Sequence, residues 1–135
     1  MKFVELTKEQ AEEIEKRLEE YDQMHMPPAI EGTVQLGIEE DGRLIAGLDA
    51  CITTFRILYV STLFVDEAYR RRGYGRHLIN AMEARARELG VNTVRLDTFD
   101  FQGKEFYEAM GYTLAGTYRN DEDSYAEYFF VKRLH

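Results

Sequence analysis

Apolar residues near the start of the chain recur at the spacing of a helix. Four of them follow at steps of three, four and three residues: Ala11, Ile14, Leu18 and Tyr21. This spacing places them on one face of an α-helix. Thr7 and Gln10 stand at the spacing of a capping box, in which each side chain satisfies a backbone N–H group of the first turn. The pattern predicts a helix over residues 8–20, preceded by a short strand at residues 1–6.

Two prolines, Pro27 and Pro28, end this helical pattern, because proline lacks an N–H group and clashes with the preceding turn. We expect a loop here, with room for a short helix after the prolines. The stretches "TVQLGIEE" and "RLIAGLDACITTF" flank Asp41-Gly42, a pair typical of a tight hairpin turn. The next stretch, "RILYVSTLFV", is rich in β-branched and aromatic residues and predicts another strand.

The second half of the chain alternates helical and extended patterns. Residues 75–89 predict an amphipathic helix, and Gly90 stands where a C-terminal cap belongs. The apolar face of this helix comprises Leu78, Ile79, Met82, Ala86 and Leu89. "VNTVRLDTF" predicts a strand, "GKEFYEAM" a short helix, and "YTLAGTYRN" and "SYAEYFFVKRL" a final pair of strands joined by "DED". We therefore expect an α/β fold of the α+β type, with about seven mostly antiparallel strands and about four helices.

Composition narrows the class of protein. A length of 135 residues fits one domain, residues 1–135, and nine tyrosines and eight phenylalanines can fill a core. The net charge of −8 argues against a general nucleic-acid binder, which needs a broad basic face, and suits a cationic substrate.

Cys51 is the only cysteine, so no disulfide can form within the chain. No signal peptide or membrane-spanning run is evident, and we expect a cytoplasmic protein.

A concentrated cluster of positive charge stands at the start of the second helix, in "RRRGYGR". The first turn of a helix offers unpaired N–H groups, and glycines let the backbone approach an anion closely. The sequence lacks the G-x-x-x-x-G-K-[ST] pattern of a P-loop, and Leu78 replaces the third glycine of the dinucleotide-binding pattern. A phosphate site of a different kind is therefore indicated, with a solvated turn as the alternative.

The spacing Val65, Arg70, Gly73 and Gly75 matches V-x-x-x-x-[RQ]-x-x-G-x-[GA], which resembles the diphosphate-binding motif of the GNAT superfamily of acetyltransferases. A second stretch, "FYEAMGY", resembles the F-Y-x-x-x-G-[FY] element of the same superfamily. More narrowly, "LDTFDFQGKEFYEAMGY" is similar to a block found in a small bacterial subfamily. The resemblance covers the chain from about residue 30 to its end.

This resemblance implies acetyl-coenzyme A as co-substrate and a mixed sheet whose parallel central strands splay apart. Leu63, Phe64 and Val65 match the strand that pairs with the pantetheine arm. The positions that match the diphosphate loop are Arg70, Arg71, Arg72, Gly73, Tyr74, Gly75 and Arg76. Arg71 and Arg72 are equally consistent with solvated side chains.

Tyr107 matches the tyrosine that often protonates the leaving thiolate in this superfamily, although it also fits a packed aromatic residue. The asparagine that often precedes this tyrosine is replaced here by Asp100, which cannot donate a hydrogen bond when ionised. Gln102 is the amide donor nearby that can substitute for it.

The general base stays open: the candidates are a chain of water molecules or one of five side chains, Asp97, Asp49, Glu20, Asp22 and His25. Asp97 stands in a strand that we expect to be buried, where a carboxylate must be either paired or functional, and Arg95 on the same face is the candidate partner. The histidines lack metal-ligand spacing, so we expect no metal. The aromatic residues of the last strand suit a core, an acceptor pocket or the edge of a homodimer.

Taken together, the resemblance implies an acetyl-coenzyme A-dependent N-acetyltransferase that acts on an amine of a small molecule or protein through a ternary complex. The alternative is a non-catalytic acyl-coenzyme A-binding module. The expected partners are acetyl-coenzyme A and an amine acceptor, without nucleic acid or membrane, and a homodimer through the C-terminal strands is a further expectation.

Overall fold

The computed structural model describes residues 1–135 and contains three α-helices and six strands. The helices are α1 (Lys8–Gln23), α2 (Tyr74–Leu89) and α3 (Lys104–Ala109), with one turn of 3₁₀-helix at Glu67–Tyr69. The strands are β1 (Thr33–Glu40), β2 (Arg43–Thr54), β3 (Ile57–Val65), β4 (Thr93–Phe99), β5 (Thr113–Asn120) and β6 (Tyr125–Arg133).

The six strands form a single sheet in the order β1-β2-β3-β4-β6-β5. β3 and β4 run parallel, and every other neighbouring pair is antiparallel. The predicted mixed sheet with one parallel central pair is therefore confirmed. The number of elements is slightly smaller than expected, because residues 1–6 form no strand and no helix follows Pro27 and Pro28.

Both later helices pack on the same face of the sheet. The fully buried side chains there come from α2 and from alternate positions of the strands: Leu58, Ile79, Met82, Val94, Leu96 and Phe130. Such alternation follows from the two-residue period of a strand. The opposite face has no helix over it and is called the open face below. It carries, among others, Gln35, Asp49, Cys51, Tyr59 and Arg95, which are exposed or half-buried.

An ion pair with a buried carboxylate ties the helical layer to the sheet. Glu83 of α2 is 4% exposed and accepts hydrogen bonds from Lys132 Nζ of β6 at 3.0 and 3.1 Å and from Tyr112 Oη at 2.9 Å. Lys132 also donates to the carbonyl oxygen of Met110 at 2.9 Å. Since a buried charge is tolerated only when it is paired and hydrogen-bonded, this network fixes α2 against β6 and the end of α3.

The first helix forms as predicted but does not pack. Thr7 Oγ1 accepts from the Gln10 N–H at 3.1 Å, and Gln10 Oε1 accepts from the Thr7 N–H at 3.0 Å, which confirms the capping box. No residue of α1 is buried, although its apolar positions share one face. None of the helices combines the length and the apolar content that a membrane crossing requires.

Candidate active site

The main cavity lies where the two parallel strands separate. β3 and β4 pair from Ile57 and Thr93 only as far as Val60 and Leu96, and beyond that point no ladder joins them. β3 also holds an extra residue, Ser61, between the positions paired with Ala50 and Asp49 of β2. Such a bulge bends a strand away from its neighbour. The resulting gap is part of a cavity of about 930 Å³.

The start of α2 borders this cavity with unpaired backbone donors. Gly73 is the N-cap residue with a φ of 83°, and Arg71 has a φ of 65°, so the loop passes twice through left-handed backbone. The N–H group of His77 donates to the Gly73 carbonyl at 3.0 Å and begins the helical hydrogen-bond pattern. The N–H groups of residues 74–76 therefore have no partner within the helix. No side chain caps them, which leaves them available to an anion.

Three arginines of the loop line the cavity: Arg70, Arg71 and Arg76. Arg70 Nε donates to the Val65 carbonyl oxygen at 2.8 Å, and its guanidinium lies 5.4 Å from the Phe64 ring centroid. These contacts hold the loop against the end of β3. Arg72 instead lies over the Tyr69 ring at 5.1 Å and does not line the cavity.

Glycine is needed at position 75 for a steric reason. A Cβ atom there would lie 3.2 Å from Cζ of Phe106 in α3, closer than ordinary van der Waals contact. The backbone of the first helical turn can thus approach α3 closely. Tyr74 Oη donates a hydrogen bond to Glu40 of β1, and this bond is the main reason that the pKa of Tyr74 is raised.

Tyr107 presents a neutral phenol to the cavity. Its ring is 8% exposed and packs edge-on against Phe106 and Tyr112, with centroid distances of 5.2 and 5.9 Å. Burial raises the pKa of Tyr107 to about 12. The phenol therefore keeps its proton at neutral pH, which is the state that a proton donor requires.

Gln102 organises the turn between β4 and α3. Its Oε1 accepts from the Phe99 N–H at 2.7 Å and from Thr98 Oγ1 at 3.2 Å, and the Gly103 N–H donates to Thr98 Oγ1 at 3.3 Å. With the amide oxygen occupied in this way, the Nε2 group remains as a donor at the cavity wall. Asp100 does not line the cavity, and its Oδ2 accepts from the Ala126 N–H of β6 at 3.1 Å.

Two carboxylates lie near the gap. Asp97 lines the cavity and is exposed rather than buried. Its partner is Tyr59, whose Oη donates to Asp97 Oδ2 at 3.0 Å, and not Arg95, whose guanidinium lies 4.6 Å from the Tyr59 ring centroid. The expectation of a buried Asp97 paired with Arg95 is therefore wrong: odd-numbered β4 residues face the open side. Asp49 accepts from Gln35 Nε2 at 3.2 Å on the same face.

The other base candidates lie on or just after α1 and do not line the cavity. His25 Nδ1 lies 2.9 Å from the Tyr21 carbonyl oxygen, and Glu20 is exposed. No three or more His, Cys, Asp or Glu side chains lie together in a way that could hold a metal ion.

The cavity unites most of the residues that sequence reasoning singled out: Leu63, Phe64, Val65, Arg70, Arg71, Gly73, Tyr74, Gly75, Arg76, Asp97, Gln102 and Tyr107. Sequence reasoning missed Ser61 and the Thr98 hydroxyl. The bulge at Ser61 has no signature within its own strand, because it arises from the register with β2. Thr98 belongs to the quoted "LDTF" block, which was the available signal.

Comparisons with known proteins agree with this geometry. The sequence pattern described as the acetyltransferase (GNAT) family matches residues 2–112. A blasticidin-S acetyltransferase of Streptomyces morookaense is 36% identical over 96 residues, 70% of each protein. The crystal structure of an acetyltransferase from Bacillus cereus is 28% identical and superimposes with a TM-score of 0.90 over 99% of this chain and 98% of that one. An aminoglycoside 6'-N-acetyltransferase crystallised with coenzyme A shares the fold at 18% identity, with a TM-score of 0.69 over 87% of this chain and 79% of that one.

Proposed function

Because the chain belongs to the GNAT family of acetyltransferases, we propose that it transfers the acetyl group of acetyl-coenzyme A directly to a primary amine of a small cationic molecule. The observation that carries this proposal is the gap between β3 and β4. Unpaired N–H groups of α2 and the Tyr107 phenol line one continuous cavity there. Its volume of about 930 Å³ suits a large extended ligand.

The α2 loop supplies the anion-binding part of the site. Free N–H groups of residues 74–76, the positive end of the helix dipole and the guanidinium groups of Arg71 and Arg76 suit the diphosphate of coenzyme A. The edge of β3 that faces β4 has no ladder beyond Val60, so its backbone near Leu63 and the amide of Gln102 are available to the amides of the pantetheine arm. Arg70 Nε donates to Val65 and shapes the loop, while the other N–H groups of its guanidinium remain available at the cavity wall.

Tyr107 acts as the general acid. When an amine attacks the thioester carbonyl, the new C–N bond forms, an oxyanion develops, and the C–S bond then breaks to release a thiolate. A phenol with a pKa of about 12 keeps its proton at neutral pH and can deliver it to the sulfur. Backbone N–H groups near the Ser61 bulge supply donors for the oxyanion.

Asp97 and Asp49 form the part of the site at which we place the amine that accepts the acetyl group. An ammonium group is attracted by carboxylates and must lose a proton before it can attack. Asp97 lines the cavity and is hydrogen-bonded by Tyr59, so its orientation is fixed. We assign it as the first candidate for taking that proton, directly or through water. The blasticidin-S acetyltransferase relative makes blasticidin S the first acceptor to test.

Release of free coenzyme A thiol with a panel of amines tests this function. We expect turnover with at least one basic amine, and Tyr107→Phe should lower kcat by about 10²- to 10⁴-fold while acetyl-coenzyme A binding persists. The matched control is Tyr118→Phe, which changes an exposed ring outside the cavity and should keep parental kcat. Binding of acetyl-coenzyme A without turnover on any amine would favour the non-catalytic binding module instead.

A further inference from the structure

The first part of the chain has an apolar surface without a partner in its own chain. We call residues 1–26 the N-terminal arm. Eight of the fifteen large apolar residues that are exposed belong to it: Met1, Phe3, Val4, Leu6, Ile14, Leu18, Tyr21 and Met24. Leu18 and Tyr21 are each 61% exposed, although the helical spacing places them on one face. A contiguous apolar surface of this kind marks an interaction site.

The rest of the fold has an unpaired strand edge with a groove beside it. β1 is an edge strand, so one side of its backbone has no partner. Next to this edge, the open face has a shallow groove of about 490 Å³. Its floor is the directly paired glycines Gly37 and Gly47. Its rim includes Leu44 and Phe64, which are 63% and 54% exposed.

The N-terminal arm complements the β1 edge and the groove beside it. The arm offers a segment with the pattern of a strand, residues 1–6, followed by an amphipathic helix. The body lacks one strand at its β1 edge and a helix over its open face. The Leu44 side chain lies over Gly37, 2.8 Å from where a Cβ atom would stand, so a docking helix would contact Leu44 and approach the backbone at Gly47. We infer that the arm of one copy docks on a second copy of this chain, with residues 1–6 along the β1 edge and α1 over the open face.

The extended position of the arm has independent support. If the 26 residues of the arm failed to superimpose on the Bacillus cereus structure, the remaining 109 of 135 residues could give a TM-score of at most about 0.81. The observed value is 0.90. The arm therefore stands away from its body in a similar direction in both proteins.

The segment between the arm and β1 favours exchange over folding back. Residues that precede a proline are restricted to extended backbone, and this applies to Met26 and Pro27. This restriction limits the ways in which α1 can fold back onto its own sheet. When two copies exchange their arms, each copy gives one arm and receives one, so the assembly is a closed dimer with two-fold symmetry. A stable interface buries roughly 1,600 Å², and two arms with eight large apolar side chains each suffice for an area of that order.

Light scattering during size-exclusion chromatography tests the association, and it needs no enzymatic activity. We expect the full chain to have twice its mass of 15.8 kDa. Leu18→Asp should shift the mass towards one chain. The control Lys16→Asp places the same residue on the opposite side of α1 and should leave the dimer intact. The inference would be overturned if the parent had the mass of one chain, if Leu18→Asp remained a dimer, or if both variants dissociated.

A thiol cross-link separates exchange from folding back. Cys51 lies on the open face and is the only cysteine, so Ile14→Cys places a second thiol on the apolar side of α1. A bismaleimide should join Ile14→Cys of one chain to Cys51 of the other and give a two-chain band on a denaturing gel. Lys16→Cys should give little of this band. A link within one chain, or no link specific to Ile14→Cys, would contradict arm exchange even if acetyl transfer is established.

Discussion

Alkaline pH should destabilise the protein through Tyr107. Burial raises the pKa of its phenol from 10.0 to about 12. Above pH 10 the unfolded chain loses this proton while the folded chain keeps it, so stability falls as pH rises from 10 through 12. Two pKa units at about 1.36 kcal/mol each give a total loss of about 2.7 kcal/mol, of which about 1.4 kcal/mol is lost by pH 11. Burial also raises the pKa of Tyr112, which acts in the same direction.

Urea unfolding at pH 8 and pH 11 measures this loss. Tyr107→Phe has no phenol to titrate, so its free energy of unfolding should fall by about 1.4 kcal/mol less than that of the parent between these two pH values. Tyr118→Phe, a matched change at an exposed ring, should behave as the parent does. An equal loss in Tyr107→Phe and the parent would refute the assignment of a buried, desolvated phenol.

Three further substitutions test other parts of the account. Lys132→Met leaves the buried carboxylate of Glu83 without its cation and should cost about 3–5 kcal/mol in urea unfolding; a loss below 1 kcal/mol would show that the pair is dispensable. Asp97→Asn should lower kcat/KM for the amine about 10-fold or more without changing acetyl-coenzyme A affinity, and unchanged amine kinetics would remove Asp97 from the acceptor side. Gly75→Ala forces a Cβ atom to 3.2 Å from Phe106 and should weaken acetyl-coenzyme A binding in a calorimetric titration; parental affinity would show that α3 yields freely.

Local sequence signals predicted the elements whose determinants lie close together in the chain. The Thr7 capping box, the Asp41-Gly42 turn and Gly90 at the end of α2 all act over a few residues, and each stands where expected. The strand expected at residues 1–6 does not form in the single chain. A strand needs a neighbour to pair with, and no local pattern supplies that neighbour.

Contacts between distant segments explain what the sequence did not predict at the site. Tyr59 and Asp97 are 38 residues apart and meet only because β3 and β4 are neighbours. The same holds for Glu83 and Lys132, which are 49 residues apart. By contrast, the α2 loop could be located from spacing alone, since its glycines and arginines act within one turn.

Calorimetric titration with acetyl-coenzyme A tests the central claim most directly. The account predicts that the parent binds and that Arg76→Glu, which reverses a charge at the cavity wall, loses about 10-fold or more in affinity, equivalent to about 1.4 kcal/mol. Arg85→Glu makes the same change at an exposed position farther along α2 and should bind as the parent does. Absence of binding by the folded parent, or equal affinities of all three proteins, would contradict a coenzyme A site at the start of α2.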